Sequence, residues 1–160
     1  MKVVIADTTS LISLILVGKL DLIEKSLGQY FIPEAVWNEL SNYSNPNFDI
    51  RKFPEIKNHV KKIQTKNYLS SIMDLGESEA VTLYNEMEAD FLLTDDNKAR
   101  QIAESIGVNC IGSIGLLIKS KEKGLLIELS NIFEIWLKSG RYFSKNFLNE
   151  ILKKYNEKQI

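Results

Sequence analysis

Two apolar runs in this chain end abruptly on carboxylates, and that feature constrains the fold more than any other. Residues 2–6, KVVIA, stop at Asp7 and the polar Thr8, Thr9 and Ser10. Residues 90–94, DFLLT, stop at Asp95 and Asp96. Each run reads as a short buried strand followed at once by a helix cap. Further short strands are expected at 30–32, at 108–111 and, as an edge strand, at 59–68. Helical spacing of apolar residues fills the intervals: 11–17 and 19–27 on either side of Gly18, a helix opened by Pro33, then 76–87, 97–106 and 112–123. Parallel strands need crossovers, and helical crossovers cover both faces of the sheet. The class is therefore α/β, a three-layer α/β/α sandwich with a mostly parallel sheet. Residues 127–138 and 144–155 add C-terminal helices, and 41–58, rich in proline and asparagine, reads as a long loop or lid with one short helical turn.

Composition narrows the chemistry. At 160 residues, 44% hydrophobic and 26% charged, the chain is an ordinary globular one. Its 20 basic and 21 acidic side chains give a net charge of −1, so there is no bulk attraction to polyanions. The opening MKVVIAD lacks the marks of a secretory leader, and no apolar stretch approaches the roughly 20 residues of a membrane span, so a cytoplasmic protein without membrane partners is expected. One histidine, His59, and one cysteine, Cys110, exclude a nitrogen/sulfur zinc site and a histidine-based nucleophilic triad. If the chain is an enzyme, carboxylates do the work.

Ligands of open parallel sheets bind outside the carboxyl ends of the strands, where Asp7 and the Asp95–Asp96 pair lie. Glu39, on the last turn of the helix after Pro33, and Glu77 and Glu79, in the first turn of the 76–87 helix, can face the same end. Each has a plain structural alternative: Asp7 as a helix cap, Glu77 or Glu79 as a dipole-stabilising first-turn acid, one of Asp95 and Asp96 as an N-cap while the other faces the cleft. Together, several converging carboxylates repel one another unless a cation neutralises them, and all-oxygen ligands favour Mg²⁺ or Mn²⁺. Such a site suits hydrolysis of a phosphodiester by an activated water.

The segments IADTTSLISLILVGKLDLIEKSLGQYFIPEAVWNEL, LGESEAVTLYNEMEADFLLTDDNKARQIAESIGV and IGSIGLLIKSKEKGLL, in that order, resemble the PIN-domain proteins of archaea and bacteria. The resemblance spans residues 2 to about 126, leaving 127–160 as a helical extension packed on the same domain. It implies a metal-dependent nuclease, relative of VapC-type toxins, with Asp7, Glu39, Glu77 or Glu79, and Asp96 (Asp95 competing) around Mg²⁺ or Mn²⁺. Thr8, Ser10 and Thr94 match small polar positions lining that site. It further implies an RNA substrate, a cognate antitoxin protein and a homodimer. The chain departs from the commoner pattern in placing Glu where Asp usually opens the third-acid helix and in doubling the fourth acid.

The C-terminal part reads differently. Residues 97–160 hold 11 basic and 6 acidic side chains against 9 and 15 in 1–96. Lys98, Arg100, Lys119, Lys121 and Lys123 are candidates for phosphate contacts, with solvated helix faces as the alternative. The aromatic set Phe133, Trp136, Phe143 and Phe147 points to dimerisation or antitoxin docking. The competing functional class is a catalytically weak PIN-like interaction module. A receiver-type switch and a haloacid-dehalogenase-type phosphatase are disfavoured, because Asp7 lacks the companion acids that those sites need.

Overall fold

All five expected strands form, and all run parallel. The computed structural model describes residues 1–160 and orders the sheet β3-β2-β1-β4-β5. The strands are β1 (Val3–Ala6), β2 (Gln29–Pro33), β3 (Val60–Lys61), β4 (Phe91–Leu93) and β5 (Cys110–Ile111). Val3 pairs with Gln29, Val4 with Phe91, Ile32 with Val60 and Leu92 with Cys110. Around them lie α1 (Thr8–Leu16), α2 (Glu34–Asn42), α3 (Leu75–Glu86), α4 (Asn97–Ser105), α5 (Ser113–Glu122), α6 (Ser130–Lys138) and α7 (Lys145–Lys154). No helix is long and apolar enough to cross a membrane.

The period-two alternation of the strands builds the three layers. Val4, Ala6, Tyr30, Ile32 and Leu93 point to one face, into a core shared with α1, α2, α5, α6 and α7. Ile5 and Leu92 point to the other, against Ala80, Val81 and Leu83 of α3 and Ala99 and Ala103 of α4. From β1 the sheet grows in both directions, to β2 on one side and β4 on the other. The crevice between β1 and β4 is the topological switch point where open parallel sheets bind ligands.

Several local expectations change. Residues 19–27 form no continuous helix; the chain turns at Gly18 (φ +64°) and makes one wide turn, Ile23–Leu27, closed by the Gly28 N–H donating to the Ile23 carbonyl at 3.1 Å. A Cβ at Gly28 would sit 2.1 Å from the Lys2 carbonyl oxygen, so glycine is what lets the chain enter β2 beside β1. The 41–58 stretch makes two 3₁₀ turns, Ile50–Lys52 and Pro54–His59, the second running one residue past it; the first is capped by the Asp49 carboxylate and the second opened by Pro54. Phe48 and Ile56 anchor it in the core. The edge strand shrinks to β3, two residues long.

The aromatic set of the C-terminal helices is core, which corrects its reading as a docking stripe. Phe133 and Trp136 are fully buried, and Phe143 stacks on Trp136 at 4.5 Å. Trp136 Nε1–H donates to the Ser13 carbonyl at 2.7 Å. Phe147 alone of the four stays exposed. The reason is geometric: α1 presents an apolar face away from the sheet, and the α6–α7 pair closes over it.

Candidate active site at the carboxyl edge of the sheet

Asp7 follows β1 and still belongs to the ladder, its N–H donating to the Leu93 carbonyl at 3.0 Å. Its side chain caps α1, accepting the Ser10 N–H at 2.9 Å and the Thr9 hydroxyl at 3.0 Å. It is 2% exposed. Burial pushes its pKa up to about 6, the neighbouring Asp95 charge adds to the rise, and hydrogen bonding from Thr94 and Ser10 opposes it. Asp7 is thus a helix cap and at the same time a buried carboxylate at the switch point. Thr9 was not among the expected site residues, although its hydroxyl also accepts the Asp95 N–H at 3.3 Å and so ties the ends of β1 and β4 together.

Glu39 comes from the other side. It accepts the Thr8 hydroxyl on one carboxylate oxygen and the Gly76 N–H, at 3.0 Å, on the other. A Cβ on Gly76 would lie 2.5 Å from both oxygens, so the glycine of the Gly-Glu-x-Glu-Ala segment is what lets α3 approach the carboxylate. Thr8 therefore supports Glu39, whereas Ser10 fastens the layers by donating its hydroxyl to the Leu93 carbonyl at 2.9 Å. Thr94 is buried beside Asp7, and its hydroxyl accepts the Asp96 N–H at 3.2 Å.

Partners drawn from other elements separate the paired candidates. Glu79 accepts the Ala35 N–H at 3.0 Å and supplies the cap that Pro33, with no side-chain acceptor, leaves α2 without. Glu77 is half-buried, and its pKa is raised to about 7, first by burial and then by the charges of Asp96, Asp74 and Asp7. Asp96 caps α4 through the Ala99 N–H at 2.7 Å yet stays close enough to act on Glu77. Asp95 is turned toward α5, accepting both the N–H and the hydroxyl of Ser113 at 2.7 Å. Asp74 is an acid that sequence reasoning missed. It precedes α3 without capping it, and it lines a cleft of about 320 Å³ with Glu77, Asp96 and Lys98. An acid two residues before a helix expected to open at Gly76 is the available signal.

None of these acids is in an ion pair with lysine or arginine. The donor set is all oxygen, and burial and acidic neighbours push up the carboxyls of Asp7 and Glu77, so its chemistry fits a hard divalent cation. In this arrangement no three acids lie close enough together to hold one ion. The fit is thus one of charge and ligand type, centred on Asp7, Glu77 and Asp96, with Glu39 held alongside by Thr8 and Gly76.

The basic candidates divide. Lys121 pairs with Glu157 at 2.9 Å, Lys123 donates to the Ser26 carbonyl at 2.5 Å, Arg100 pairs with Glu104 at 2.9 Å and Lys119 lies over the Phe91 ring. Lys98 remains on the rim of the acidic cleft. Beside Thr94, Asp95 and Arg100 a second cleft, of about 530 Å³, is walled by Tyr142 and Phe147.

No curated protein matches the chain. A family match does extend over residues 3–157, through the last helix, to DUF3368, a PIN domain and so a nuclease-type fold. Since that match takes in the whole sheet, its switch point and the acids around it, this chain belongs to the PIN-domain family.

Proposed function

We propose that the protein is a metal-dependent endoribonuclease in which Asp7, Glu39, Glu77 and Asp96 hold Mg²⁺ or Mn²⁺, with Glu79, Asp95, Thr8, Ser10 and Thr94 in support. The observation that carries this reading is that the charges of Asp96, Asp74 and Asp7 all act on the half-buried Glu77 at the β1–β4 crevice, with none of the four acids in an ion pair with lysine or arginine. A bound Mg²⁺ or Mn²⁺ there supplies charge neutralisation and a water acidic enough to attack phosphorus. The chain's own groups do the rest. Thr9 and Ser10 keep the Asp7 carboxylate facing the crevice, Thr8 and the Gly76 N–H orient Glu39, and Lys98 meets a phosphate oxygen at the rim. The exposed faces of Tyr142 and Phe147 suit unpaired bases, which favours single-stranded RNA. Family membership supports the further reading as the toxin of a type II toxin–antitoxin pair, homodimeric and cytoplasmic, with a cognate antitoxin protein.

A second reading, a catalytically weak interaction module, is favoured by one observation: Glu39, Glu79 and Asp95 already accept hydrogen bonds from Gly76, Ala35 and Ser113. One experiment separates the two. Mn²⁺ binding is measured by calorimetry on the wild type and on Asp7→Asn, alongside cleavage of a mixed RNA pool with and without EDTA. The nuclease reading expects metal binding and cleavage in the wild type, both lost in the variant, with cleavage abolished by EDTA. A wild type that binds no Mn²⁺ overturns it in favour of the module.

A further inference from the structure

A third cleft lies away from the carboxyl edge, between the end of α1, the wide turn Ile23–Leu27, the start of β2 and the turn Pro54–His59. Its volume is about 320 Å³. Ile15 and Leu20 form an apolar wall, Tyr30, Phe53 and His59 an aromatic one, and Asp21, Glu24 and Glu55 the rim. The aromatic wall is built firmly. Tyr30 and His59 stack at 3.9 Å and 5°, and His59 Nδ1 is hydrogen-bonded with the Tyr30 carbonyl at 2.8 Å.

Two features of this cleft lack partners. Tyr30 is 3% exposed, yet its hydroxyl makes no hydrogen bond within the protein and opens on the cleft. That hydroxyl is not among the fully buried atoms of the protein, so it is free to bond whatever enters the cleft. Glu24 and Glu55 are in no ion pair, and Asp21 has only the exposed Lys25, at 2.7 Å. The nearby Arg51 is already held by Asp49 at 2.9 Å. Both acids sit close enough to the Tyr30 phenol to raise its pKa beyond the effect of burial.

Anions are repelled by this rim, and a purely apolar molecule would leave the phenol unpartnered. A metal ion finds no group of three ligands here. An ammonium or guanidinium on a methylene stem satisfies every wall: the stem lies on Ile15 and Leu20, the cation faces the aromatic rings and carboxylates, and an N–H donates to the Tyr30 oxygen. We propose that this cleft is a binding site for an organic cation, either a free polyamine or the lysine or arginine side chain of a partner protein. The inference is independent of the nuclease reading.

The test is an NMR titration of the ¹⁵N-labelled full chain with spermidine, and separately with short lysine- and arginine-containing peptides. Saturable shifts are expected at Gly18, Glu24 and His59. Glu24→Gln combined with Glu55→Gln, both at exposed positions, weakens binding by about tenfold. Tyr30→Phe keeps the stacked ring and weakens it about threefold. Saturation by spermidine alone identifies a free cation, and saturation by a peptide alone identifies a partner side chain. The proposal is overturned by the absence of saturable shifts with every probe, by shifts confined to Glu77 and Asp96, or by unchanged affinity in the double carboxylate variant.

Discussion

At the scale of single residues, Asp7 stands out because one carboxylate does two jobs that oppose each other. As a cap it stabilises α1; as a buried charge beside Asp95 it destabilises the folded chain. It titrates near 6 when folded and near 3.8 when exposed. Between those values the unfolded chain has released a proton that the folded chain keeps, so raising pH through this window favours unfolding, and above about 6 the penalty is constant. Glu77, half in solvent, adds in the same sense up to about 7. Asn keeps the acceptor for the Ser10 N–H and removes the charge, so in EDTA at pH 8 Asp7→Asn is more stable by about 2–3 kcal/mol. The gain disappears near pH 4. Urea unfolding at the two pH values measures it, and equal stability of both proteins at pH 8 refutes the electrostatic account. Glu77 and Glu79 give a second contrast. Glu79→Ala costs about 1 kcal/mol by uncapping α2 and lowers cleavage only slightly, through the helix that carries Glu39. Glu77→Gln leaves stability unchanged or higher and lowers cleavage at least about a hundredfold, since even outer-shell partners of a metal are worth tenfold to a hundredfold. The opposite pattern in a paired thermal-melt and cleavage assay exchanges their roles.

At the scale of elements, what could be read along the chain were the features set by near neighbours. The apolar runs ending at Asp7 and Asp95, the Pro33 helix start and the alternation of strands with helices are local, and the sheet follows from them. What could not be read depends on groups far away in sequence. Glu79 is assigned by an N–H at Ala35, Asp95 by Ser113, and neither spacing nor propensity announces such pairs. The lost helix at 19–27 has a similar cause: the chain must bend at Gly18 and pass under Lys2 at Gly28 to reach β2, and that path overrides the helical spacing of Leu20, Ile23 and Leu27. Gly76 tests the apposition of α2 and α3 directly. Gly76→Ala pushes the Glu39 carboxylate, the free end of an exposed side chain, off its N–H, so the fold adapts and alanine's better helix propensity recovers up to about 1 kcal/mol. Thermal stability is expected to hold or rise while cleavage falls about tenfold or more. Undiminished cleavage would remove Glu39 from the site.

At the scale of the whole molecule, the question is whether 127–160 is an addition to a domain of 126 residues or part of it. The contacts run from α6 and the turn after it straight to the helix that Asp7 caps. Trp136 bonds to the Ser13 carbonyl, and Arg141 reaches the Thr9 carbonyl at 2.8 Å and the Ser13 hydroxyl at 3.1 Å. Leu129, Phe133, Trp136 and Leu148 are in one core with Val4 and Ala6 of the central strand. Removing them would open the sheet's larger apolar face and leave α1 uncovered on its outer side. A large buried indole costs about 3–5 kcal/mol on truncation to alanine, against a total stability of about 5–15 kcal/mol for a domain. Trp136→Ala is therefore expected to unfold in a single urea transition at much lower denaturant, with loss of strand and helix signals together, and a chain ending at residue 126 to show no cooperative transition at all. If that shortened chain melts cooperatively near the full chain's midpoint, 127–160 is an appendage. The crevice acids would then be held by the sheet alone, and Arg141 would have no part in positioning α1 and its cap.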